Sequence, residues 1–327
     1  MLKQIELTLA ICMYNAEKYI EETLLSVMEQ TMQDFHLLII NDCSTDKSVE
    51  LVEKFFEQHP RQFELCNMES NQGIAYARNF ALNHANTKYL IFIDSDDHPL
   101  PQLLEKEYAA IRCDRELIAV SSWSQFVDTN CNPIKGGLFI GDTTKKAFME
   151  RAKAAKRIFL PIQTMFDRES AIRVGGFCCD GFPDGKPRYR DFCEDLDLWT
   201  RMSDLYVEGK YILVLPEVLY LYRKIDGLSS NHFNMIIKME YTKVNLRRRR
   251  RGESNLSFID FFDSIPQKRL KKLRHNSAAA DNLRNGVFYI REKKIAKGTW
   301  LVIKSIWNQP TYIIDKLLSN SGLFKRK

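Results

Sequence analysis

Three carboxylates occur within four residues at Asp94, Ser95, Asp96 and Asp97. They directly follow the apolar run 89–93, which has the composition of a buried strand. Oxygen ligands of this kind suit Mg²⁺ or Mn²⁺ better than zinc, and a divalent cation would relieve the repulsion between the carboxylates. The alternative is a solvated loop in which Asp96 or Asp97 caps a following helix. The cluster alone does not decide between these two interpretations.

Alternating strands and helices must position this cluster. The first hundred residues contain apolar strand segments separated by stretches of helical periodicity. The strands are predicted at 5–12, 36–40, 63–67 and 89–93, and the helices at 20–30, at 49–56 behind the N-cap candidates Ser44, Thr45 and Asp46, and at 73–84. This alternation is typical of a parallel sheet. Ligands bind beyond the carboxyl ends of such strands, so we expect Tyr14, Asn15, Asp42 and the acidic cluster to form one pocket.

The rest of the chain has a weaker pattern. Between about 100 and 225 we expect antiparallel additions to the sheet, with a strand at 118–125 and a loop from Asn130 to Gly141. Helices are expected near Arg168 and Leu196, and beyond about 232 the sequence is helical and basic. We therefore predict a domain over 1–231 with halves at 1–100 and 101–231, followed by a basic helical region over 232–327.

The composition is typical of a soluble globular protein, with 45% hydrophobic and 28% charged residues among 327. The eight cysteines show no zinc-ligand spacing and are typical of reduced thiols in a cytoplasmic protein. No apolar stretch has the length of a membrane-spanning helix. The net charge of +6 is unevenly distributed, because residues 240–327 carry 21 Lys and Arg against 7 Asp and Glu. That asymmetry indicates an anionic partner for the basic end.

Several segments, in order and spacing, resemble the donor-binding half of family 2 glycosyltransferases. They are Ala10–Ile20, Asn41–Asp46, Asn71–Asn79 and the acidic cluster, and the match resumes at Gly175–Phe177 and Glu194–Arg201. The resemblance implies a GT-A fold, an α/β fold with a Rossmann-like, mostly parallel central sheet flanked by helices and a helical C-terminal appendage. It makes 1–100 the nucleotide-sugar-binding half and 101–231 the acceptor-side half of an inverting catalytic domain. Thr200 and Arg201 lack the Gln-x-x-Arg-Trp pattern of processive synthases, which favours one sugar per encounter.

The resemblance also implies roles for individual residues in donor binding. The implied contacts are Tyr14, Asn15, Glu17, Asp42, Gly73, Arg78, Asp94 and Ser95. Asp42 would contact the base or the ribose, and Arg78 would help to fix the nucleotide and diphosphate, for which a guanidinium has suitable bidentate geometry. The alternatives are a half-buried aromatic side chain for Tyr14 and a turn or cap residue for Asp42.

The same resemblance also implies which residues bind the metal ion and which residue acts as the catalytic base. Asp96 would be the direct ligand of Mn²⁺ or Mg²⁺, with Asp94 beside it and closer to the ribose. The metal would neutralise the charge that builds on the leaving nucleoside diphosphate. Asp195, next to Glu194, matches the family position of the base that activates the acceptor hydroxyl. Both acids can also simply open a helix at 196–204, a role that is compatible with catalysis.

A late segment, from Tyr220 to Arg223 and at Ser229-Ser230, resembles a family signature near the diphosphate. A histidine often found shortly after the arginine is missing, since its place falls near Ile225. His232 is the candidate for a substitute metal contact. Cys12 is a further departure, because many relatives carry proline there.

The basic end suggests two kinds of partner. Its runs 247–251 and 268–272 would attract nucleic acid, but no zinc finger or RNA-recognition signature accompanies them, so no nucleic acid is expected. Trp300, Ile303 and Trp307 lie at i, i+3 and i+7 among lysines, which resembles a basic interfacial helix. This face either packs on the catalytic domain or contacts anionic lipid, and the charge favours the membrane. We therefore expect a cytoplasmic protein in peripheral contact with the inner face of the cell membrane.

The leading hypothesis is an enzyme that moves a sugar from a nucleotide-sugar donor, a UDP-sugar by preference, to a hydroxyl of a glycan or lipid-linked saccharide. Its pathway would be the synthesis of lipopolysaccharide, capsule or another surface polysaccharide. A sugar-phosphate nucleotidyltransferase would need a glycine-rich phosphate loop near the first strand, and an NAD oxidoreductase would need G-x-G-x-x-G. Neither occurs here. The alternative from another class is a non-catalytic adaptor that binds nucleic acid or membrane through its basic region.

Overall fold

A computed structural model describes residues 5–224, 231–291 and 293–310. The described residues form two compact units. One contains those of Met1–Asp180, Cys193–Ile225 and Thr242–Asn255, and the other contains those of Gly181–Phe192, Asp226–Tyr241 and Leu256–Lys327. The domain boundary predicted between 231 and 232 stays a prediction, and Ile225, Ser229 and Ser230 lie outside the described residues.

The first unit begins with strands and helices in strict alternation. Their bounds are β1 (Leu7–Met13), α1 (Ile20–Met28), β2 (His36–Asn41), α2 (Ser48–Gln58), β3 (Phe63–Asn67), α3 (Ile74–His84) and β4 (Tyr89–Asp94). All of β1 and nearly all of β2 and β4 are buried, as expected for parallel strands covered on both faces. The predicted alternation over the first hundred residues is confirmed. The second helix starts at Ser48, whose amide donates to Asp46 at 3.0 Å.

The second half of this unit is mixed. Its elements are β5 (His98–Pro99), α4 (Leu103–Cys113), β6 (Leu117–Val127), β7 (Pro133–Phe139), α5 (Lys145–Lys153), β8 (Met165–Asp167), α6 (Arg168–Arg173), α7 (Glu194–Met202) and β9 (Tyr211–Arg223). The prediction of a loop from Asn130 to Gly141 is wrong, because β7 pairs antiparallel with β6 there. Most of β7 is exposed and it contains Gly136 and Gly137, so it lacks the apolar alternation by which strands are recognised.

One sheet runs through the unit in the order β3-β2-β1-β4-β8-β6-β9-β5, with β7 added beside β6. The pairs among β1 to β4 are parallel, whereas β8 is antiparallel to both of its neighbours. In this register Cys12 lies opposite Asp94, and Met13 lies opposite Asn41. The carboxyl ends of β1, β2 and β4 are therefore level, which places the residues after them side by side.

From 231 onward the described residues are largely helical, as predicted. It contains α8 (His232–Arg250), α9 (Phe258–Asp263), α10 (Gln267–Arg291) and α11 (Ile295–Asn308). Helices α10 and α11 approach closely through small residues: a Cβ added to Gly298 would lie 2.6 Å from the Gly286 carbonyl oxygen. Ser305 Oγ donates to the Ala279 carbonyl at 2.5 Å. Within the described ranges, no helix combines the length and the apolar character needed to cross a bilayer.

Candidate active site

The loops that follow β1 and β2 are tied together by hydrogen bonds. Asn15 adopts a φ of +52°, which asparagine tolerates better than most residues. Its amide donates to Ser44 Oγ at 3.0 Å, and its Oδ1 accepts from the Thr45 amide at 2.8 Å. Glu17 Oε2 accepts from the Lys47 amide at 3.1 Å. Both predicted donor contacts thus also join one loop to the other.

Tyr14 and Asp42 stand in opposite environments. The Tyr14 side chain is 48% exposed, so its ring is accessible to a ligand. Asp42 is buried, and its carboxylate accepts from the Gln72 amide at 2.7 Å and the Gly73 amide at 2.8 Å. Gly73 has a φ of +93°, which side-chain-bearing residues rarely adopt. Asp42 therefore fixes the turn that starts α3, and its contact with a base or ribose stays a prediction.

Arg78 links two acidic segments that are far apart in the sequence. It lies on α3, is 4% exposed, and donates to Asp94 Oδ1 at 2.5 Å and to the Glu194 carboxylate. Burial opposes its charge, but the two carboxylates outweigh burial and raise the pKa of Arg78. The guanidinium thus holds the end of β4 and the start of α7 together, and the role at the nucleotide and diphosphate that the resemblance implies for it stays a prediction.

The acidic loop has the donor set of a cation site. Carboxylate oxygens of Asp94, Asp96 and Asp97 all lie within 4.8 Å of one another. Asp97 is buried and accepts from the Arg223 amide at 2.7 Å, whereas Asp94, Ser95 and Asp96 are partly exposed. Burial, together with the charge of Asp94, raises the pKa of Asp96 to about 7. A divalent cation would relieve the repulsion between the Asp94 and Asp96 carboxylates, so the loop fits Mn²⁺ or Mg²⁺.

Glu194 and Asp195 open α7, directly after Cys193 with a φ of +50°. Burial raises the pKa of Glu194 to about 8 although Arg78 opposes the rise, and burial also raises the pKa of Asp195. Asp195 is partly exposed and its carboxylate accepts from the Leu196 amide at 2.7 Å. A carboxyl with a raised pKa is suited to accept a proton near neutral pH.

Arg223 holds the backbone of the acidic loop, a role that the sequence did not reveal. Its side chain is 2% exposed, and Nε donates to the Asp96 carbonyl at 2.8 Å. The other guanidinium nitrogens donate to Glu22 at 2.6 Å and to the Thr129 carbonyl at 2.7 Å. Its partners come from three separate parts of the chain, so no local signal could have identified this contact.

The turn at Gly175 and Gly176 is held by α7. The two glycines have φ values of +92° and +59° and end α6, with the Gly175 amide donating to the Ile172 carbonyl at 2.8 Å. Arg201 donates to the carbonyls of Val174 and Gly176, each at 2.6 Å. The two glycines therefore end a helix in a close backbone turn, and the assignment of 101–231 to the acceptor side stays a prediction.

Comparison with known proteins assigns the family. The family model described as glycosyl transferase family 2 matches residues 8–174, just over half of the chain. The chain belongs to glycosyl transferase family 2. The family 2 chain is 27% identical over 228 residues to a glycosyltransferase of Haemophilus influenzae. This alignment covers 68% of the chain and 67% of the Haemophilus protein. It is 40% identical over 92 residues to the teichoic acid poly(glycerol phosphate) polymerase of Staphylococcus epidermidis, covering 28% of the chain.

The family 2 chain spans only part of some relatives, namely 13% of that polymerase and 30% of glycosyltransferase GlyA from Streptococcus pneumoniae. Solved structures share its fold. S. aureus TarS in complex with UDP-GlcNAc has a TM-score of 0.53 at 18% identity, with 93% of this chain and 92% of that one covered. The mannosyltransferase PcManGT from Pyrobaculum calidifontis, in complex with GDP-Man and Mn²⁺, has a TM-score of 0.52 at 18% identity, with coverages of 99% and 82%. The predicted GT-A fold is confirmed.

The basic run of the family 2 chain is largely used within the chain. Arg249 and Arg250 both pair with Asp204, at 2.5 Å and 2.8 Å. Arg248 and Arg251 pair with Glu253 at 3.1 Å and 2.5 Å. In the other unit, His232 pairs with Asp281. Four of the five arginines in the run 247–251 therefore already have partners of opposite charge, whereas the second basic run considered for nucleic acid, 268–272, keeps exposed lysines.

Proposed function

We propose that this protein is a metal-dependent, inverting glycosyltransferase that moves a sugar from a UDP-sugar or related nucleotide sugar to a hydroxyl of a glycan or lipid-linked acceptor. The observation that carries the proposal is the link through Arg78, which joins the acidic loop to the acids that open α7. The link would keep the proposed donor site and the proposed proton acceptor next to each other. The UDP-GlcNAc and GDP-Man complexes of the two structural neighbours support a nucleotide-sugar donor.

On the donor side, Asp96 and Asp94 would hold the cation, because Asp97 faces inward to the Arg223 amide. A bound cation would neutralise the charge that develops on the leaving nucleoside diphosphate. The exposed ring of Tyr14 would stack on the base, and the joined loops around Asn15 and Glu17 would form the wall beside it. Arg78 would orient Asp94, with which it pairs, and would lie beside the diphosphate.

On the acceptor side, Asp195 is the better candidate for the base. Glu194 is held by Arg78 and is 8% exposed, whereas Asp195 is partly exposed and hydrogen-bonds to the backbone of its own helix. Asp195 would accept the proton of the attacking hydroxyl as the bond between the anomeric carbon and the diphosphate breaks. Attack from the side opposite the leaving group inverts the anomeric carbon.

The pathway we propose is synthesis of a cell-surface polysaccharide. The teichoic acid polymerase among its relatives supports this setting. The acceptor would then be a glycan or a lipid-linked saccharide at the inner face of the cell membrane.

Peripheral contact with an anionic membrane is part of the proposal. On α11, Trp300 is 61%, Ile303 47% and Trp307 83% exposed, whereas Gly298 and Ser305 on the other side are buried. The neighbouring lysines 293, 294, 297 and 304 are exposed. An apolar, aromatic face bordered by lysines is typical of a helix that lies in the headgroup region.

Replacing Asp96 by alanine tests the catalytic proposal. We expect Asp96→Ala to lower the release of nucleoside diphosphate from nucleotide sugars by at least about a hundredfold, since removing one group that stabilises developing charge costs about that much. Calorimetry should show that Mn²⁺ no longer strengthens donor binding. Asp34→Ala, at an exposed aspartate outside the site, is the control and should behave as wild type. Turnover in Asp96→Ala equal to that in the control would refute the proposal, and absence of turnover in both would favour a non-catalytic adaptor.

A further inference from the structure

A second group of metal-ligating side chains lies on the edge strand β3 and the last residue of α3. Glu64 and Cys66 are two residues apart on the strand, so their side chains point to the same face. His84 Nε2 lies 2.7 Å from Glu64 Oε1, and Cys66 Sγ lies 3.8 Å from the same oxygen. One ligand atom from each of the three residues lies within 4.8 Å of the other two.

This donor set differs in kind from that of the acidic loop. One thiol, one imidazole and one carboxylate suit zinc or a similar transition-metal ion, whereas three carboxylates suit a hard cation. The Glu64 side chain is 60% exposed and that of His84 is 38% exposed, so an ion can enter from solvent. A cavity beside the cluster, lined among others by His36, Gln62 and Thr87, provides space for water as a fourth ligand.

A simpler role for two of these residues is a surface ion pair between His84 and Glu64. Such pairs contribute little to stability when they are exposed. The ion pair accounts for His84 and Glu64 but leaves out Cys66, whose thiol lies at hydrogen-bonding distance from the same carboxylate oxygen. The presence of Cys66 is therefore what favours a metal site.

We propose that Glu64, Cys66 and His84 bind one zinc ion, or a transition-metal ion of similar softness, that fastens the end of α3 to the edge strand β3. This ion is distinct from the cation of the acidic loop. Because α3 also carries Arg78, the zinc ion would anchor the far end of the helix that joins the two acidic segments of the active site. It would also restrain an edge strand, which is otherwise open to pairing with other chains.

Cobalt titration of the full-length protein tests this site without using activity. Excess Mg²⁺ first occupies the acidic loop, and Co²⁺ is then added as a spectroscopic substitute for zinc. Only a thiolate ligand gives the intense sulfur-to-cobalt charge-transfer absorption. We expect this band to saturate at one Co²⁺ per chain and to disappear when Zn²⁺ is added.

Three variants locate the site. Cys66→Ser should abolish the band, His84→Ala should weaken Co²⁺ binding by about tenfold or more, and Cys113→Ser, at an exposed thiol elsewhere, should leave both unchanged. Zn²⁺ should raise the melting temperature of the wild type and of Cys113→Ser, but not that of Cys66→Ser. Absence of the band in the wild type, or its survival in Cys66→Ser, would overturn the proposal.

Discussion

At the scale of single residues, the carboxylates of the candidate site outnumber the arginine side chains that contact them. Arg78 contacts Asp94 and Glu194, and Arg223 supports the loop that carries Asp96 and Asp97. Burial leaves several of these acids with raised pKa values, including Asp96 at about 7 and Glu194 at about 8. Raised pKa values of this kind are what the proposed cation binding and proton transfer would use.

Asp195 should separate chemistry from donor binding. We expect Asp195→Asn to keep the wild-type affinity for the nucleotide sugar but to lower the rate of transfer by roughly 10²–10⁴-fold, the usual contribution of a general base. Calorimetric donor titration and a sugar-transfer assay measure the two quantities separately. Glu208→Gln, at an exposed glutamate paired with Arg173, is the control. Transfer at the wild-type rate in Asp195→Asn would exclude this residue as the base.

Glu107 should make stability depend on pH. This residue of α4 is fully buried, its Oε2 accepts from the Met165 amide at 3.2 Å, and burial raises its pKa well above the ordinary 4.5. The folded protein therefore keeps a proton that the unfolded chain releases, so the free energy of unfolding falls as pH rises above about 5, by up to about 1.4 kcal/mol per pH unit.

Glu107→Gln removes this titration while keeping the shape of the side chain. We expect the variant to gain stability relative to wild type as pH increases from 5 to 8, measured by urea unfolding at several pH values. The exposed Glu105 of the same helix provides the control Glu105→Gln, which should show no such trend. A difference that does not change with pH would show that Glu107 is ionised in the folded protein.

At the scale of elements, the turn after α6 has the strictest steric requirement. A Cβ added to Gly176 would lie 2.5 Å from Asn79 Oδ1 and 3.0 Å from Leu82 Cδ2, at a φ of +59°. Asn79 Oδ1 also accepts from the Phe177 amide at 3.1 Å, so it cannot move away without losing that bond. This packing connects α3 to the turn before α7.

Gly176→Ala should therefore destabilise the protein by more than backbone strain alone. Strain at a positive φ costs about 1–3 kcal/mol. Gly136→Ala is a matched control, since Gly136 has a φ of +75° and nothing within 4 Å of an added Cβ. We expect a larger loss in the free energy of unfolding for Gly176→Ala in urea titrations. Equal losses would mean that the turn can shift to admit a methyl group.

The elements that the sequence could predict are those with a strong local pattern. The buried runs of β1, β2 and β4 and the N-terminal acids of α7 follow from apolar composition and helix-end charge. The exposed strand β7 could not be predicted, because its pairing with β6 depends on tertiary contact rather than on its own residues. The same holds within the site. The acidic loop can be recognised as a motif in the sequence, whereas the contacts of Arg223 with Glu22 and Asp96 form only when distant parts of the chain come together.

At the scale of the whole molecule, the uneven charge has a different meaning after folding. The sequence gives residues 240–327 a large positive excess. The arginines of 248–251 are paired with Asp204 and Glu253, whereas lysines 268, 271 and 272 of α10 and the lysines around α11 are exposed. The arginine run is therefore less available to an anionic membrane than the sequence suggested, and the proposed contact depends on the apolar face and the lysines of α11.

Removing the aromatic side chains of α11 should weaken binding to vesicles. We expect Trp300→Ala and Trp307→Ala each to lower affinity for anionic vesicles by roughly tenfold, because a large apolar side chain that is buried in lipid contributes about 1.5–3 kcal/mol. Wild-type binding should also weaken at high salt, which screens the lysines. Val207→Ala, at a valine that is 72% exposed in the first unit, is the control. Co-sedimentation that is equal in all four proteins would exclude α11 as the contact.

The link through Arg78 also predicts how related sequences should vary. One buried guanidinium serves both Asp94 from β4 and Glu194 from α7, so losing Arg78 alone would leave the buried Glu194 without its cationic partner. Relatives in which position 78 is not arginine should therefore also have a neutral residue at position 194. Positions 78 and 194 should covary across the family, although more than a hundred residues separate them.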